Sequence, residues 1–577
     1  MWHPERGGLN GMSSSLHLFD YLVVFGYLGF SIGLGWALRR QSNRDEFFSA
    51  GRSMGRVVVG LSVMATLFSA NSFVMYPAAA YGNSLRLAMA LVAFWAMGPV
   101  VAWVFIPVYA QLQCTTAYEY LELRFHVSVR CLASALFILL RIGWMAAATF
   151  AAAVAIAGIS GVDRIVITVG LGVVAIVYTM MGGLRAVMWT DVLQFFVFFG
   201  TILFAAAVLI GQSEGGAAQI ATTYFEGREN LWFDFSLDPT LKYGSIAILV
   251  GSFLEGLSAF GADQVAVQRY IAARNARASQ SGFLITLLGL LVVIPGLLMI
   301  GMGLFSYFQQ APQDLAPVLA EHLETATAKE ALALRQRIEA FAPAAVDGSA
   351  GLATQISAYY RQHPGGLHAD IVEMDLADQA MSQFVRLKFP PGLVGLLVAA
   401  LMAATMSSID SGVHSITTAL VIDFRDRLLP AWRPQTEAGE MWMARALVVA
   451  VGALAVFLAC FVGELGDVFT VAKKTVGAFA APLLAVFILG LFVSRATTFG
   501  VFWGTWLGAG FTLWFSDYFD HWFSLWIFPV GFLASLGLSL VLSCIPWRGR
   551  PTSQKCLTFW EVRRSTNTDS QAGSENA

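Results

Sequence analysis

The stretch AATMSSIDSGVHS, residues 403–415, places two adjacent serines and an aspartate inside a long apolar run that extends over residues 392–422. Hydroxyl and carboxylate groups are costly at bilayer depth, so Ser407, Ser408 and Asp410 are expected to face a partner, a cavity or an ion. The pattern favours an oxygen-lined site for a hard cation such as Na⁺. The alternative is that the two serines only hydrogen-bond to carbonyl groups of their own helix.

The composition is typical of a membrane protein with many spans. Of the 577 residues, 57% are hydrophobic and only 12% are charged, whereas soluble proteins carry about 25% charged residues. The net charge of −2 gives no indication of a nucleic-acid partner. The five cysteines have no metal-binding or redox spacing. The N-terminal residues lack the basic and apolar regions of a signal peptide, so we expect the first helix to insert directly.

Thirteen apolar runs are long enough to cross a bilayer, which needs about 20 apolar residues for each helix. Lys and Arg are concentrated in alternate loops and in the C-terminal tail, which predicts an outside N-terminus and a cytoplasmic C-terminus. We therefore predict an all-α polytopic membrane protein in the plasma membrane. The predicted spans are residues 19–38, 57–80, 87–110, 131–157, 163–181, 187–211, 244–265, 281–305, 391–422, 442–463, 469–493, 497–516 and 522–545.

Three segments are predicted to lie outside the lipid. Residues 1–18 form an extracellular N-terminus, and residues 306–388 form a large extracellular insertion. Residues 315–341 of the insertion combine helical spacing with good helix formers, so we expect one or two helices there. The polar tail 546–577 is expected to be cytoplasmic and disordered, and it is too short for a signalling domain.

Polar residues interrupt two of the predicted spans, five spans apart. The second span contains ATLFSANSF, residues 65–73, and the seventh is rich in Gly and Ser and carries Glu255 near its middle. Transporters with inverted repeats build ion and substrate sites from broken helices at corresponding positions of the two halves. The pattern favours such breaks, although a polar seam between packed helices remains an alternative for the second span.

Four charged residues at or near membrane depth leave alternatives open. Lys473 lies at the outer end of the eleventh span beside Lys474, and one of the two is expected to reach the interface. The other is placed to hold an anion. Arg141 and Asp191 have opposite charges at comparable depth, so they either pair with each other or contribute to ion exit.

Five motifs resemble the sodium/solute symporter family, in the family's order, and the likeness extends from about residue 20 to residue 547. They are DEFFSAGRSMG at 45–55, TTAYEYLELRF at 115–125, GGLRAVMWTDVLQ at 182–194, GADQVAVQRYIAA at 261–273 and PPGLVGLLVAALMAATMSSIDS at 390–411. The resemblance implies a transmembrane symporter domain over 19–545. Its five-plus-five inverted-repeat core, of the LeuT type, would span about 57–493 and work by alternating access.

The resemblance also implies a sodium site between the second and ninth spans, with Na⁺ as the coupling ion. By motif alignment its ligands are the backbone carbonyls of Ala65, Phe68 and Ala404 and the hydroxyls of Ser407 and Ser408. Asp191, the aspartate after Trp-Thr, would assist release of sodium towards the cytoplasm.

Alignment with the family's sugar-carrying members places Ser72, Gly256, Ala259 and Lys473 at the solute-contacting positions, so none of their polar set is kept. The stretch YPAAAYG, at 76–82, instead resembles the branch that carries monocarboxylates, iodide or vitamins. A lysine in place of an amide favours a negatively charged solute, unless Glu255 neutralises it.

The predicted function is sodium-coupled import of a small organic solute, such as a monocarboxylate, by a protein surrounded by membrane lipid. A sodium/sugar symporter is the alternative, and a membrane sensor that keeps the symporter core is a more remote one. The sequence has neither a nucleophile motif nor a metal-ligand cluster, so the chain is not expected to be an enzyme. Neither the oligomeric state nor the sodium stoichiometry follows from the sequence.

Overall fold

The computed structural model describes residues 16–41, 43–82, 84–226, 234–326, 329–341, 349–363, 366–374, 376–465, 468–545 and 558–561. The predictions for residues 1–15 and for most of the C-terminal tail lie outside this part of the chain. All regular elements in it are helical, apart from one isolated bridge between Met54 and Ala273. This confirms the all-α prediction.

The helices are α1 (Leu18–Ala37), α2 (Arg44–Ser49), α3 (Arg56–Leu67), α4 (Ala70–Gly82), α5 (Met89–Val100), α6 (Ile106–Leu112), α7 (Glu119–Arg124), α8 (Val127–Ser160), α9 (Arg164–Gln212), α10 (Gly216–Glu226), α11 (Ser245–Gly261), α12 (Gln264–Ala272), α13 (Ala276–Gln310), α14 (Ala316–Thr325), α15 (Lys329–Phe341), α16 (Ser349–Gln362), α17 (Gly366–Glu373), α18 (Gln379–Lys388), α19 (Leu393–Ala419), α20 (Asp426–Leu428), α21 (Glu437–Phe461), α22 (Val468–Phe492), α23 (Thr498–Tyr518) and α24 (Ile527–Ser543).

Nine helices of the described chain are long and apolar enough to cross a membrane, or eleven if each of two bent helix pairs counts as one span. The predicted fifth and sixth spans are joined in α9, which has 49 residues and a length of roughly 74 Å at 1.5 Å per residue. That is more than twice the thickness of a bilayer core. The backbone of α9 turns at Gly183, where φ is 54° and ψ is −155°. The count of thirteen spans and their orientation stay predictions.

Both predicted breaks are present. The helices α3 and α4 are bent by 61°, and α11 and α12 by 46°. The first break arises because Phe68 adopts an extended backbone, with φ −92° and ψ 121°. At the second break, the Asp263 side chain accepts a hydrogen bond from the Val265 amide and so begins α12.

In its described residues, the segment between α13 and α19 contains five short α-helices, α14 to α18, of which α14 and α15 lie within the stretch for which helices were expected. This segment packs against the end of α4. A Cβ atom added to Gly82 would lie 3.3 Å from Ala377, and the rings of Tyr81 and His368 are 5.0 Å apart. The second half of the broken span is therefore in contact with the insertion.

The centre of the molecule is α19, which is buried without interruption from residue 403 to residue 419. Its beginning is held by Asp20 of α1, whose Oδ1 atom accepts hydrogen bonds from the amides of Gly392 and Gly395 at 2.8 and 2.7 Å. A Cβ on Gly395 would come within 2.5 Å of the Asp20 backbone. Small residues therefore let α19 lie close to its neighbours, which places Ser407, Ser408 and Asp410 in the interior.

Candidate functional site

The break between α3 and α4 meets the serine pair of α19. Because a helix leaves its last four carbonyl groups without partners in the helix, the Ala65 carbonyl near the end of α3 is free to accept from outside. The Ser407 hydroxyl lies 3.1 Å from this carbonyl and 2.9 Å from that of Ala404. The structure thus brings together two helices whose contacting residues are 342 positions apart in the chain.

Four of the five predicted sodium-binding residues line one small cavity of about 10 Å³, about the volume that one water-sized sphere needs. These four are Ala65, Phe68, Ala404 and Ser407. The fifth, Ser408, is buried beside them, and its acceptor among the described residues is the Ala404 carbonyl of its own helix, at 3.3 Å. The alternative of bonding within the helix therefore describes Ser408, whereas Ser407 also bonds across to α3.

Asp191 is completely buried. Its Oδ2 atom accepts hydrogen bonds from Ser62 at 2.5 Å and from Arg269 at 2.8 Å, and its Oδ1 atom has no partner among the described residues. Of the two alternatives for Arg141 and Asp191, the one in which they pair with each other is wrong, because Arg141 instead binds Asp263 at 2.6 Å. The bend between α11 and α12 places Asp263 next to α8, where its carboxylate forms an ion pair with Arg141.

Sequence reasoning missed the arginine at the centre of this cluster, because the predicted seventh span ended at residue 265 and left Arg269 in the loop before the next span. Arg269 lies on α12, the second half of a broken span, and none of its surface is exposed. Its guanidinium donates to Ser62, Asp191 and Ser411 at 2.7, 2.8 and 2.5 Å. The available sequence signal for Arg269 was its position within the motif GADQVAVQRYIAA. The bend between α11 and α12, which turns Arg269 inward, lies several residues earlier in the chain.

A second carboxylate lies beside the first. Asp410 is completely buried, and it accepts hydrogen bonds from Tyr178 at 2.5 Å and Ser411 at 3.0 Å. Since Ser411 also accepts from Arg269, the two aspartates are linked through one guanidinium. The cluster contains two carboxylates and one arginine.

The predicted solute-binding residues are only partly brought together. The ammonium group of Lys473 lies 2.8 and 2.9 Å from the two carboxylate oxygens of Glu255, which is adjacent to Gly256 on α11. The pairing alternative is therefore the one that the structure shows. A Cβ on Gly256 would lie 2.8 Å from Phe94, so that ring covers this position. Ala259 is half-buried one turn further along α11, and the Ser72 hydroxyl lies 3.4 Å from the Ser69 amide in its own helical turn.

A larger cavity of about 550 Å³ lies between segments predicted to be cytoplasmic, and charged residues of α2, α7 and α20 contribute to its lining. Ion pairs cross it from Glu122 to Arg130 at 2.7 Å and from Glu122 to Arg427. Partial burial opposes ionisation of Glu122, but hydrogen bonds from both arginines outweigh it and lower the pKa of this carboxyl below its ordinary value. The first pair joins α7 to α8, and the second joins α7 to α20, in the segment that follows α19.

Comparison with known proteins places this arrangement in a family. The sodium:solute symporter family model matches residues 47–339 and 350–508. The sodium/sialic acid symporter NanT of Aliivibrio fischeri is 28% identical over 84% of this chain and 85% of that protein. The human sodium-coupled monocarboxylate transporter 1 is 27% identical over 86% of this chain and 73% of that protein.

A solved outward-open, substrate-bound structure of a Na⁺-coupled sialic acid symporter shares the fold, with a TM-score of 0.74 and 24% identity. The two structures align over 93% of this chain and 100% of the solved one. These relatives are sodium-coupled transporters, which confirms the prediction that the chain is not an enzyme and that Na⁺ is the coupling ion. The family model covers most of the chain, and this protein therefore belongs to the sodium:solute symporter family.

Proposed function

We propose that this protein imports a small organic anion together with Na⁺ by alternating access. In this proposal the carbonyls of Ala65, Phe68 and Ala404 and the hydroxyls of Ser407 and Ser408 hold the ion. The observation that carries the proposal is the contact of Ser407 with the Ala65 carbonyl beside a cavity of about 10 Å³. Hydroxyl and carbonyl oxygens are ligands that suit hard cations.

Ion binding at this position would connect the broken span to α19. A cation that is bound by oxygens of both helices holds the broken span against α19. A solute pocket that forms only when these helices are together then binds the solute more tightly. By linkage, the solute then raises the affinity for sodium by the same factor. Asp191 lies one helical turn before Gln194, which lines the cavity, so we assign Asp191 to the release of sodium towards the cytoplasm.

The relatives support an anion as the solute. Sialic acids and monocarboxylates are acids, and a sodium/iodide cotransporter is a further relative, 26% identical over 85% of this chain. The positive charge of Lys473 does not add to this support, because Glu255 balances it. We propose that this pair positions the middle of α11 and the beginning of α22 beside the solute.

The buried charges support a second cation. Among the described residues, Arg269 is the one cation that bonds Asp191 and, through Ser411, reaches Asp410, and Asp191 Oδ1 has no partner there. One Na⁺ with a monovalent anion carries no net charge, whereas a second cation restores a driving force of about 2.3 kcal/mol per 100 mV. The solved sialic acid symporter is described as having a novel Na⁺ site.

Thermal unfolding of the purified protein in detergent tests the sodium site. NaCl is expected to raise the midpoint above that in KCl at equal ionic strength, because a ligand that binds only the folded state stabilises it. Ser407→Ala/Ser408→Ala should abolish this difference. Thr405→Val is the matched control, since it removes a buried hydroxyl of α19 that donates to the Leu401 carbonyl within its own helix. An unchanged sodium response in the double variant would refute the assigned ligands.

Uptake into proteoliposomes tests the solute and the location. Lactate, a sialic acid and iodide are offered as labelled solutes, with glucose as the neutral alternative. Accumulation of one of the anions that collapses with the sodium gradient is expected, and accumulation of glucose alone would replace the anion proposal. In cells, a fluorescent fusion is expected at the plasma membrane, with the C-terminus on its cytoplasmic side.

A further inference from the structure

Three consecutive residues between α2 and α3 have a left-handed backbone. The φ angles of Ala50, Gly51 and Arg52 are 53°, 60° and 48°. Glycine adopts this conformation freely, whereas a residue with a side chain is strained in it. Two of the three residues are not glycine, and such strain persists only where the surrounding structure holds the segment in place. This left-handed turn, residues 50–52, belongs to the motif DEFFSAGRSMG, which the proposed transport function leaves without a role.

The chain before the left-handed turn is attached to α9 and α19. Phe47 and Phe48 of α2 are buried, and the His414 Nε2 atom of α19 lies 3.0 Å from the Phe47 carbonyl oxygen. Because a carbonyl oxygen can only accept, the imidazole donates to α2. Gly183 of α9 packs so closely against the same carbonyl that a Cβ there would lie 2.9 Å from its oxygen. The helix α2 is therefore held by two long helices of the interior.

The chain after the left-handed turn is joined instead to α12. The Met54 amide donates to the Ala272 carbonyl at 3.0 Å, and the Arg274 amide donates to the Met54 carbonyl at 3.1 Å. Further along the chain, Arg269 of α12 donates to the Ser62 hydroxyl of α3 at 2.7 Å. One half of each broken span, α3 and α12, is thus bound to the other, and the left-handed turn separates this pair from α2.

One side chain of α12 connects the two groups of helices. Gln268 is completely buried, and its Nε2 atom donates to the Phe48 carbonyl and to the Thr418 hydroxyl, both at 2.8 Å. Its Oε1 atom accepts from the Ser415 hydroxyl of α19, also at 2.8 Å. All three bonds break if α12 moves away from α2 and α19. Together with the bonds at Met54, they fix the chain on both sides of the left-handed turn and so keep the turn strained.

We propose that residues 50–52 are the hinge of a gate on the predicted cytoplasmic side, an inference that rests on the alternating access proposed above. In this gate α3 and α12 move together away from α19, whereas α2 stays on α9 and α19, and Gln268 releases both. The turn is then no longer held from both sides, so its strain is relieved in the open form. The strain therefore favours opening, and the contacts of the closed form oppose it.

The test follows the gate by alkylation of a cysteine placed between α12 and α19. Thr418→Cys serves as the reporter in the full-length protein, because the Thr418 side chain is buried against Gln268 as long as α12 lies on α19. The five native cysteines are replaced by serine. The rate of reaction with N-ethylmaleimide is measured in detergent and KCl, so that sodium binding does not contribute.

Two substitutions change the strain in opposite directions. Ala50→Gly relieves one strained residue of the closed form, so the reporter should react about fivefold more slowly, which corresponds to about 1 kcal/mol. Gly51→Ala adds a strained residue, with no atom nearer than 3.9 Å to the new Cβ, so the reporter should react about fivefold faster. Gly216→Ala is the matched control, because φ is +61° and the nearest atom is also 3.9 Å away, but the residue begins α10.

A comparison at Arg52 keeps the test decisive if Ala50→Gly cannot be purified. Arg52→Gly and Arg52→Ala both lose the hydrogen bond from the guanidinium to the Gln113 carbonyl, but only glycine relieves the backbone. The reporter should therefore react more slowly in Arg52→Gly than in Arg52→Ala. The Gly216→Ala control should react at the rate of the reporter protein itself.

Equal rates in Ala50→Gly and Gly51→Ala, or shifts in the same direction, would overturn the inference, because a turn that is strained in every state changes stability but not opening. The inference also fails if the reporter reacts only as fast as the protein unfolds, since α12 then never leaves α19. Sodium-dependent uptake by the wild type in proteoliposomes, together with either result, would leave the proposed function standing. Absence of that uptake would overturn the proposed function, whatever the alkylation rates are.

Discussion

Replacing Arg269 by methionine tests whether the buried charge cluster holds the broken seventh span in place. The guanidinium lies 2.8 Å from Asp191, and neither side chain is exposed. At an effective dielectric constant of 20, this distance corresponds to an attraction of about 6 kcal/mol, of which burial of the charges offsets a large part. Arg269→Met removes the attraction but leaves both Asp191 and Asp410 buried, so we expect a loss of about 3–5 kcal/mol in the free energy of unfolding.

The assay is chemical unfolding in detergent micelles, in KCl so that sodium binding does not contribute. Asp191→Asn keeps an acceptor for Arg269 and should cost less than Arg269→Met. The double variant Asp191→Asn/Arg269→Met should be less destabilised than the sum of the single variants, since the arginine is lost together with a carboxylate that it balanced. Arg335→Met is the control, because its exposed pair with Glu339 should contribute less than about 1 kcal/mol. A cost for Arg269→Met as small as that of the control would refute the reasoning.

Three further predictions follow from other contacts. Glu255→Gln and Lys473→Gln should each reduce uptake more than the double variant does, because each single change breaks the half-buried ion pair and leaves a net charge there, whereas the double change removes both charges. Equal uptake in all three variants would exclude a role for the pair. Gly183→Ala should lower the thermal midpoint, with a loss of about 1–3 kcal/mol in the free energy of unfolding. The reason is that φ is +54° and the new Cβ would lie 2.9 Å from the Phe47 carbonyl oxygen. Gly51→Ala is the control, because φ is also positive there but no atom lies nearer than 3.9 Å to the new Cβ, so its loss should be smaller. The pKa of Glu122 is lowered in the folded protein, so its ion pairs stabilise the fold above the ordinary pKa of the carboxyl and this contribution is lost as the pH falls through the lowered value. As the pH falls below the ordinary carboxyl value of 4.5, the thermal midpoint of Glu122→Gln should therefore change less than that of the wild type.

Most of the candidate sodium site could be predicted from the sequence, since its signal is local. Two adjacent serines within an apolar run, and a cluster of polar residues within another, each stand out against their own neighbours. The resemblance to a family then assigned the carbonyl ligands, which the sequence cannot indicate by residue type because every residue has a carbonyl group. Gln194 escaped attention, because it is an ordinary polar residue whose unpaired oxygen appears only when its surroundings are known.

The partners of the charged residues could not be predicted in the same way. Arg141 and Asp191 were matched by their depth in the bilayer, but depth leaves open which face of a helix a side chain occupies. The bend of 46° between α11 and α12 brings Asp263 to Arg141 and turns Arg269 towards Asp191.

The sequence by itself determined that this chain is a helical membrane protein, that two of its spans break and that one polar stretch lies in its interior. These properties depend on hydrophobicity and hydrogen-bonding capacity along short segments. Only the tertiary structure decided which charges meet: Arg269 lies 78 positions from Asp191, and Lys473 lies 218 positions from Glu255. Because a buried charge must find an opposite charge within a few ångströms, the choice among distant candidates depends on how the bent helices pack.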